Sequence, residues 1–271
     1  MFLRCMAICL SLYFIYGMDL SARAEPVVQQ RSGSCASDEQ LSRILHDLET
    51  LASGGDRARL KAVFSPNSAK WIAFRDIPDR LVNAFKATEY FSISRGIFDK
   101  HKYVEICARY REAFPLSQDE AWRCVRCISP RIKFVAGWFL NYWGKNNKST
   151  DLDGRRKLNE IALAHMIERS KVITNETVSE IFLNSAFLGH RSYGVLEAVQ
   201  NYFGKPLDEL TYAEAAYLAA LPEAPARFHA GRKPVEALFA RNLALKSMYE
   251  RRFISQADAL TAMNETLKIA E

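Results

Sequence analysis

Hydrophobic residues recur at helical spacing along most of the chain. Residues 38–52 carry five aliphatic side chains on one helical face, namely Leu41, Ile44, Leu45, Leu48 and Leu51. The Ser-Gly-Gly-Asp run at 53–56 predicts the end of that helix, and Asp76 and Pro78 predict the start of another over 79–91. From residue 155 onward the pattern indicates successive helices separated by Gly, Pro and Asn.

Two stretches depart from this helical pattern. The segment AKWIAFRDIP, residues 69–78, alternates apolar and polar positions and predicts a short strand. Residues 97–147 are irregular and rich in aromatic residues and cysteine, and they end in the apolar run KFVAGWFLNYWGKNN. The sequence shows no internal repeat. Because most of it has helical spacing, it predicts a mostly α fold with at most a minor strand element.

The first 24 residues have the layout of a secretory signal peptide. Arg4 precedes an apolar run from Cys5 to Met18, and the Ala-Arg-Ala sequence at 22–24 fits a cleavage site. The run is short for a membrane span, so we expect cleavage, with an uncleaved N-terminal anchor as the alternative. The predicted organisation is therefore a signal over 1–24, a leader and helix over 25–60, and one domain over 61–271.

Charge and cysteine content narrow the environment of the exported chain. The net charge is +6 for the full sequence and +5 without residues 1–24, which suits a phosphate-bearing partner or an anionic membrane surface, but no basic stripe points to nucleic acid. The four cysteines that remain after cleavage predict two disulfides in three possible connectivities: Cys35, Cys107, Cys124 and Cys127. The histidines lack metal-ligand spacing, so no metal ligands are predicted.

A narrow polar stripe runs along the predicted helix at 155–169. Lys157, Glu160, Ala164 and Glu168 fall close to one line, because spacings of three and four advance about one turn. Taken alone, a solvated helix face with an ordinary Lys–Glu pair is the favoured interpretation.

The surrounding motifs change that interpretation. The stripe matches R-K-x-x-E-x-x-x-A-x-x-x-E, and the sequence E-x-Y-L-N-x-x-x-x-G follows at Glu180, Leu183, Asn184 and Gly189 with Phe182 for the tyrosine. The segments YGVLEAVQNYFGK and LTYAEAAYLAALPEAP come next in order. In these motifs the chain resembles glycosyltransferase family 51, the peptidoglycan glycosyltransferase domain of bifunctional penicillin-binding proteins and of monofunctional transglycosylases.

This resemblance implies a lysozyme-like helical domain at the outer face of the cytoplasmic membrane, on the periplasmic side. Its reaction would polymerise a lipid-linked disaccharide-pentapeptide into glycan strands and release undecaprenyl pyrophosphate. A carboxylate must take the proton of the acceptor hydroxyl, and positive charge must stabilise the departing pyrophosphate. Mg²⁺ or Mn²⁺ is the candidate cofactor for that second task.

Residue roles follow from the same resemblance. Arg156 and Lys157 would bind the phosphates, and Glu160 would be the second catalytic acid, orienting the leaving group or a metal. Lys145 and Asn184 complete the candidate substrate-binding set, although Asn184, with Glu168 and Glu180, looks more like scaffold.

The first two motifs of the family are altered in this chain. The first, E-D-x-x-F-x-x-H-x-G, supplies the general base, and here AFKATEYFSISRG places Glu89 in that role when aligned from its left end. Counted back from Gly96, Ala87 takes the position instead. In the second motif, Lys145 and Asn146 remain near Gly137, whereas aromatic residues replace the Ser-Thr and Gln-Gln pairs that bind the donor.

Three functions are compatible with this mixture. An active polymerase comes first, and a degenerate relative that binds precursor, glycan or a cell-wall enzyme without turnover comes second. A lytic enzyme using Glu89 as its acid is the third, but a Lys157–Glu160 pair has no pyrophosphate to hold in that reaction. The expected partners are the lipid-linked precursor, the membrane surface and other cell-wall enzymes.

Overall fold

The computed structural model describes residues 38–54, 56–65, 70–89, 128–148 and 156–270. Their helices are α1 Asp38–Ser53, α2 Arg57–Phe64, α3 Asp79–Thr88, α4 Pro130–Asn146, α5 Arg156–Arg169, α6 Asn175–Ser185, α7 Val195–Phe203, α8 Tyr212–Ala220, α9 Pro234–Glu250 and α10 Gln256–Asn264. The described residues contain no strand beyond an isolated antiparallel bridge between Phe187 and Tyr193. The prediction of a mostly α fold is therefore confirmed. The predicted signal and all four cysteines lie outside the described residues.

The strand predicted over 69–78 is wrong. The described part of that segment is extended and then makes one 3-10 turn, Phe74–Asp76. Its backbone is bonded by side chains of α6: Ile72 N–H and C=O pair with Asn184, and Phe74 N–H donates to Glu180. No neighbouring strand is needed to satisfy these backbone groups, because the side chains of α6 bond to them.

Side-chain caps fix where several helices begin. Ser129 accepts from the N–H of Arg131 at the start of α4, with Pro130 at the first helical position. Asp56 and Thr174 cap α2 and α6 in the same way. A reciprocal capping box between Thr211 and Glu214 opens α8.

Two hydrophobic clusters form the core of the described residues. Helices α1, α2, α4, α5 and the first half of α6 surround the first cluster, which includes Ile44, Leu48, Phe64, Val135, Leu163 and Ile181. Helix α3 and helices α7 to α10 surround the second, with α8 buried from Ala213 to Ala220. The ring of Phe182 in α6 joins the two, since it packs edge-on against Phe134 at 5.2 Å and Phe85 at 6.0 Å.

The aromatic run in α4 serves the first cluster. Phe139 and Leu140 are buried, while Trp138 and Trp143 donate indole hydrogen bonds to Val63 O and to Asp47, at 2.9 and 2.7 Å. These residues therefore fix α4 against α1 and α2. Within the described residues, no helix is both long and apolar enough to span a membrane.

Candidate active site

A cleft of about 890 Å³ opens where the two clusters meet. It lies between the end of α3, the start of α4, the end of α5 and the start of α6. Its polar lining includes Lys86, Glu89, Ser129, Arg131, His165, Glu168, Arg169, Ser170, Thr174, Asn175, Glu176, Ser179 and Arg251. Four helix ends thus bring acids, bases and hydroxyls into one concave site.

Glu89 is held at the wall of this cleft by a rigidly anchored helix end. Thr88 donates to Ala219 O at 3.1 Å, and Ser247 donates to Ala87 O at 2.8 Å, so the last turn of α3 is tied to α8 and α9. The next residue, Glu89, lines the cleft. The structure therefore places this predicted catalytic residue in a well-defined position.

The Glu89 carboxylate forms a two-point ion pair with Arg131. The guanidinium Nε is 3.2 Å from Oε1 and Nη2 is 2.7 Å from Oε2, and the two side chains are each about 10% exposed. The hydroxyl of Ser129 also donates to Oε1. Charge-assisted, two-point hydrogen bonds of this type are among the strongest in proteins and fix orientation as well as charge.

Sequence reasoning did not identify Arg131. A cation in the first turn of a helix faces the positive end of the helix dipole, so Arg131 after the Ser-Pro start was a signal that an acid compensates it. The sequence could not say which acid, because Glu89 lies 42 residues earlier in the chain.

His165 is a second cleft residue that sequence reasoning left out. Burial lowers its pKa from the usual value, and the positive charge of Arg169 lowers it further. His165 is therefore neutral at pH 7 and can both donate and accept hydrogen bonds in the cleft.

Glu160 lies outside the cleft lining, at the contact between α4 and α5. A Cβ placed on Gly137 would be 3.2 Å from its Cδ and Oε2 atoms. The missing side chain at Gly137 therefore makes room for the Glu160 carboxylate between the two helices.

The predicted phosphate-binding residues are only partly described. Arg156 and Lys157 are the first residues of α5, and their side chains fall outside the described part. Lys145 is exposed in the last turn of α4, about 21 Å along the helix axis from Arg131. The structure does not bring Lys145 to the cleft formed at the start of that helix.

Asn184 and Glu180 act together on the backbone of residues 71–74. Asn184 is 3% exposed and makes two 2.8 Å hydrogen bonds with Ile72, while its amide also donates to Glu180 O. The Glu180 carboxylate accepts from Arg57, from the Trp71 indole and from Phe74 N–H. The position of Asn184 thus fits the scaffold role considered in the sequence analysis.

A metal ion would find few ligands among the described side chains. They contain no group of three or more His, Cys, Asp or Glu residues that could hold one. The described residues therefore do not form a protein cage for Mg²⁺ or Mn²⁺, and no step is assigned to a metal here.

Comparison with known proteins shows a family match in the second half of the chain. Residues 141–249 match the Transglycosylase family model. The chain is 38% identical over 196 residues to penicillin-binding protein 1A of Pseudomonas aeruginosa, covering 72% of this chain and 22% of that protein. It is 32% identical over 213 residues to penicillin-binding protein 1A of Aquifex aeolicus, covering 79% and 27%. The chain thus spans about a quarter of the length of these relatives.

Among solved structures, the chain is similar to penicillin-binding protein 1A of Haemophilus influenzae. The TM-score is 0.40 at 23% identity, and the match covers 74% of this chain and 18% of that chain.

Proposed function

From the match of residues 141–249 to the Transglycosylase family model, we propose that the chain is a peptidoglycan glycosyltransferase. Its substrate is the undecaprenyl-pyrophosphate-linked disaccharide-pentapeptide, which it joins into glycan strands in cell-wall biogenesis. The lipid part of this substrate resides in a bilayer, so the site of action is the membrane surface on the periplasmic side.

The position of Glu89 is the observation that carries the proposal. A glycosyl acceptor needs a carboxylate within hydrogen-bond reach of its hydroxyl to take the proton as the new bond forms. Glu89 is ionically paired, held at the end of α3, and exposed to the cleft on one side. In this assignment, the acceptor hydroxyl reaches the carboxylate from the cleft.

The leaving group would be stabilised by positive charge in the same cleft. Lys86, Arg169 and Arg251 line it together with Glu89, so a departing diphosphate meets cations on several sides. Arg156 and Lys157, at the start of α5, remain the predicted phosphate ligands by resemblance.

The test is polymerisation by the purified chain in detergent or vesicles containing lipid-linked precursor, with a divalent cation supplied. We expect glycan polymer from the wild type. The polymerisation rate of Glu89→Gln should be lower by about 100-fold or more, as is usual when a general base is removed. Glu250→Gln is the matched control, because this carboxylate is 44% exposed and pairs with Lys246 in α9.

Each other outcome has a distinct meaning. Full activity of Glu89→Gln would exclude Glu89 as the base. Precursor binding without polymer from the wild type would identify the chain as the non-catalytic binding protein considered above. Thermal melting and precursor binding of Glu89→Gln show whether this variant is folded with an intact cleft.

A further inference from the structure

We propose that Arg131 is a positioning residue that aims the Glu89 carboxylate at the acceptor. This role rests on the proposed function, since it concerns the base of that reaction. The motif resemblance gave Arg131 no role, and the inference comes from the contacts of its guanidinium.

The contacts of Glu89 leave one side of the carboxylate available. A carboxylate has about four acceptor positions. Among the described residues, Oε1 accepts from Ser129 and Arg131 Nε, and Oε2 accepts from Arg131 Nη2. Three positions are thus used, and the remaining one belongs to Oε2. Because Glu89 lines the cleft, Oε2 is the oxygen we assign to the acceptor proton.

Arg131 is itself held from a third helix. Its Nη1 donates to Ser179 Oγ in α6, and that hydroxyl donates to Asn175 O at 2.6 Å. The guanidinium therefore bridges the end of α3 and the start of α6 from its own place in α4. A guanidinium held at three nitrogens has little freedom to rotate, so the carboxylate that it binds has little freedom to rotate as well.

Position in the helix adds an electrostatic reason for the arrangement. The Glu89 carboxylate bonds to the capping residue Ser129, so it lies at the positive end of α4. Both the helix end and the guanidinium attract the carboxylate and hold it in place. A base that is already aimed needs no reorganisation when the substrate arrives.

Lysine cannot make the same hydrogen bonds to Glu89 and Ser179. An ammonium is a point charge with rotatable donors, whereas the guanidinium presents a planar fork to two carboxylate oxygens and keeps a third nitrogen for Ser179. Arg131→Lys therefore preserves the charge while releasing the orientation of Glu89. If Arg131 only stabilised the fold, a folded Arg131→Lys variant would keep its kcat, because the orientation of Glu89 would not matter.

The experiment compares Arg131→Lys with Arg57→Lys in the polymerisation assay. Arg57 is the control, because it also pairs with a buried glutamate, Glu180, and lies outside the lining of the cleft; its own side chain is 53% exposed. We expect kcat of Arg131→Lys to fall about 10- to 100-fold with KM nearly unchanged, as for a misplaced catalytic group. We expect kcat of Arg57→Lys to stay within about twofold of the wild type.

Chemical rescue gives a second readout. Arg131→Ala should regain rate on addition of guanidinium at millimolar concentration, below the range in which it denatures proteins, while Arg57→Ala should not. Circular dichroism melting at the assay temperature shows whether Arg131→Ala is folded. Ser129→Ala, which removes one hydrogen bond to Glu89 together with the cap of α4, is a second variant that acts on the same carboxylate. Its kcat should fall by less than that of Arg131→Lys.

The outcomes separate this role from the proposed function. Wild-type polymerisation with unchanged kcat in folded Arg131→Lys overturns the positioning role and leaves the function standing. A rise in KM at constant kcat overturns it too, since it would make Arg131 a substrate ligand. A wild type that makes no polymer overturns the proposed function and this role with it.

Discussion

Two buried glutamates, Glu180 and Glu89, each pair with an arginine, but we expect different roles for them. Glu180 is 5% exposed, and four donors, from Arg57, Trp71 and Phe74, fill its acceptor positions. Glu89 is paired with Arg131 but keeps one position toward the cleft. A fully satisfied carboxylate stabilises structure, whereas a partly satisfied one at a cleft wall can accept a proton.

Asn184 provides a test of the structural half of this contrast. Asn184→Ala removes both hydrogen bonds to the Ile72 backbone and leaves that amide and carbonyl without these partners, so we expect a loss of about 3 kcal/mol in the free energy of unfolding. Urea denaturation measures this. Asn201→Ala is the control, because Asn201 is exposed and bonds to Ser192 and His190 O. Equal stability of the two variants would contradict the scaffold role.

At the scale of elements, the contact between α4 and α5 decides where Glu160 lies. The two helices approach at Gly137, which faces the Glu160 carboxylate. A glycine in the middle of a helix costs stability relative to alanine, so its presence at this contact indicates a requirement for space.

Gly137→Ala should therefore separate stability from activity. The new methyl group would lie 3.2 Å from the Glu160 carboxylate and displace it by a few tenths of an ångström. Helix propensity offsets the crowding, so we expect the free energy of unfolding to change by less than about 1 kcal/mol. If Glu160 has its predicted catalytic role, the polymerisation rate falls several-fold.

Gly144→Ala, in the same helix, is the comparison for the gain in helix propensity. Equal rates for the two alanine variants would argue against a catalytic role for Glu160. A loss of stability well above 1 kcal/mol in Gly137→Ala would show that the carboxylate cannot move aside.

At the scale of the whole molecule, the cleft follows from the way two hydrophobic clusters are joined. Helix α6 belongs to both, and the rings of Phe134, Phe182 and Phe85 continue from one to the other. The Glu89–Arg131 ion pair crosses the same boundary, from α3 in the second cluster to α4 in the first. The chemical groups therefore sit where the two halves of the core meet.

Stability should depend on pH through His165, which lines this boundary cleft. Its pKa is lowered in the folded chain by burial and by Arg169, so the unfolded chain binds the proton at higher pH. The stabilising contribution is complete above the ordinary value of 6.5 and is lost as the pH falls below it. We expect the Tm of the wild type to drop between about pH 7.5 and pH 5.5 more steeply than that of His165→Gln.

Thermal melts across this range test the prediction, with His46→Gln as the control because His46 is exposed on α1. His229, whose pKa is lowered by burial and by nearby Arg232, contributes in the same direction and leaves a residual slope. Parallel Tm curves for the wild type and His165→Gln would contradict the assignment.

Local patterns in the sequence determined most of the helices. The face containing Ile44 and Leu48 predicted α1, and Asp76 and Pro78 predicted the start of α3, because helix periodicity and capping are short-range properties. The same logic failed at residues 69–78, where side chains of α6, and no neighbouring strand, bond to the backbone. Motif spacing also led to the transglycosylase family, which the comparisons support independently of the structure.

Tertiary structure alone decided how the candidate site is put together. Sequence identified Glu89 as a candidate base, but its partner Arg131 lies beyond a long intervening segment, and no periodicity links residues that distant. Packing likewise set Glu160 against Gly137 and left Lys145 at the far end of α4. The sequence specifies the chemistry of each side chain, whereas ion pairing across the two clusters depends on how the helices pack against each other.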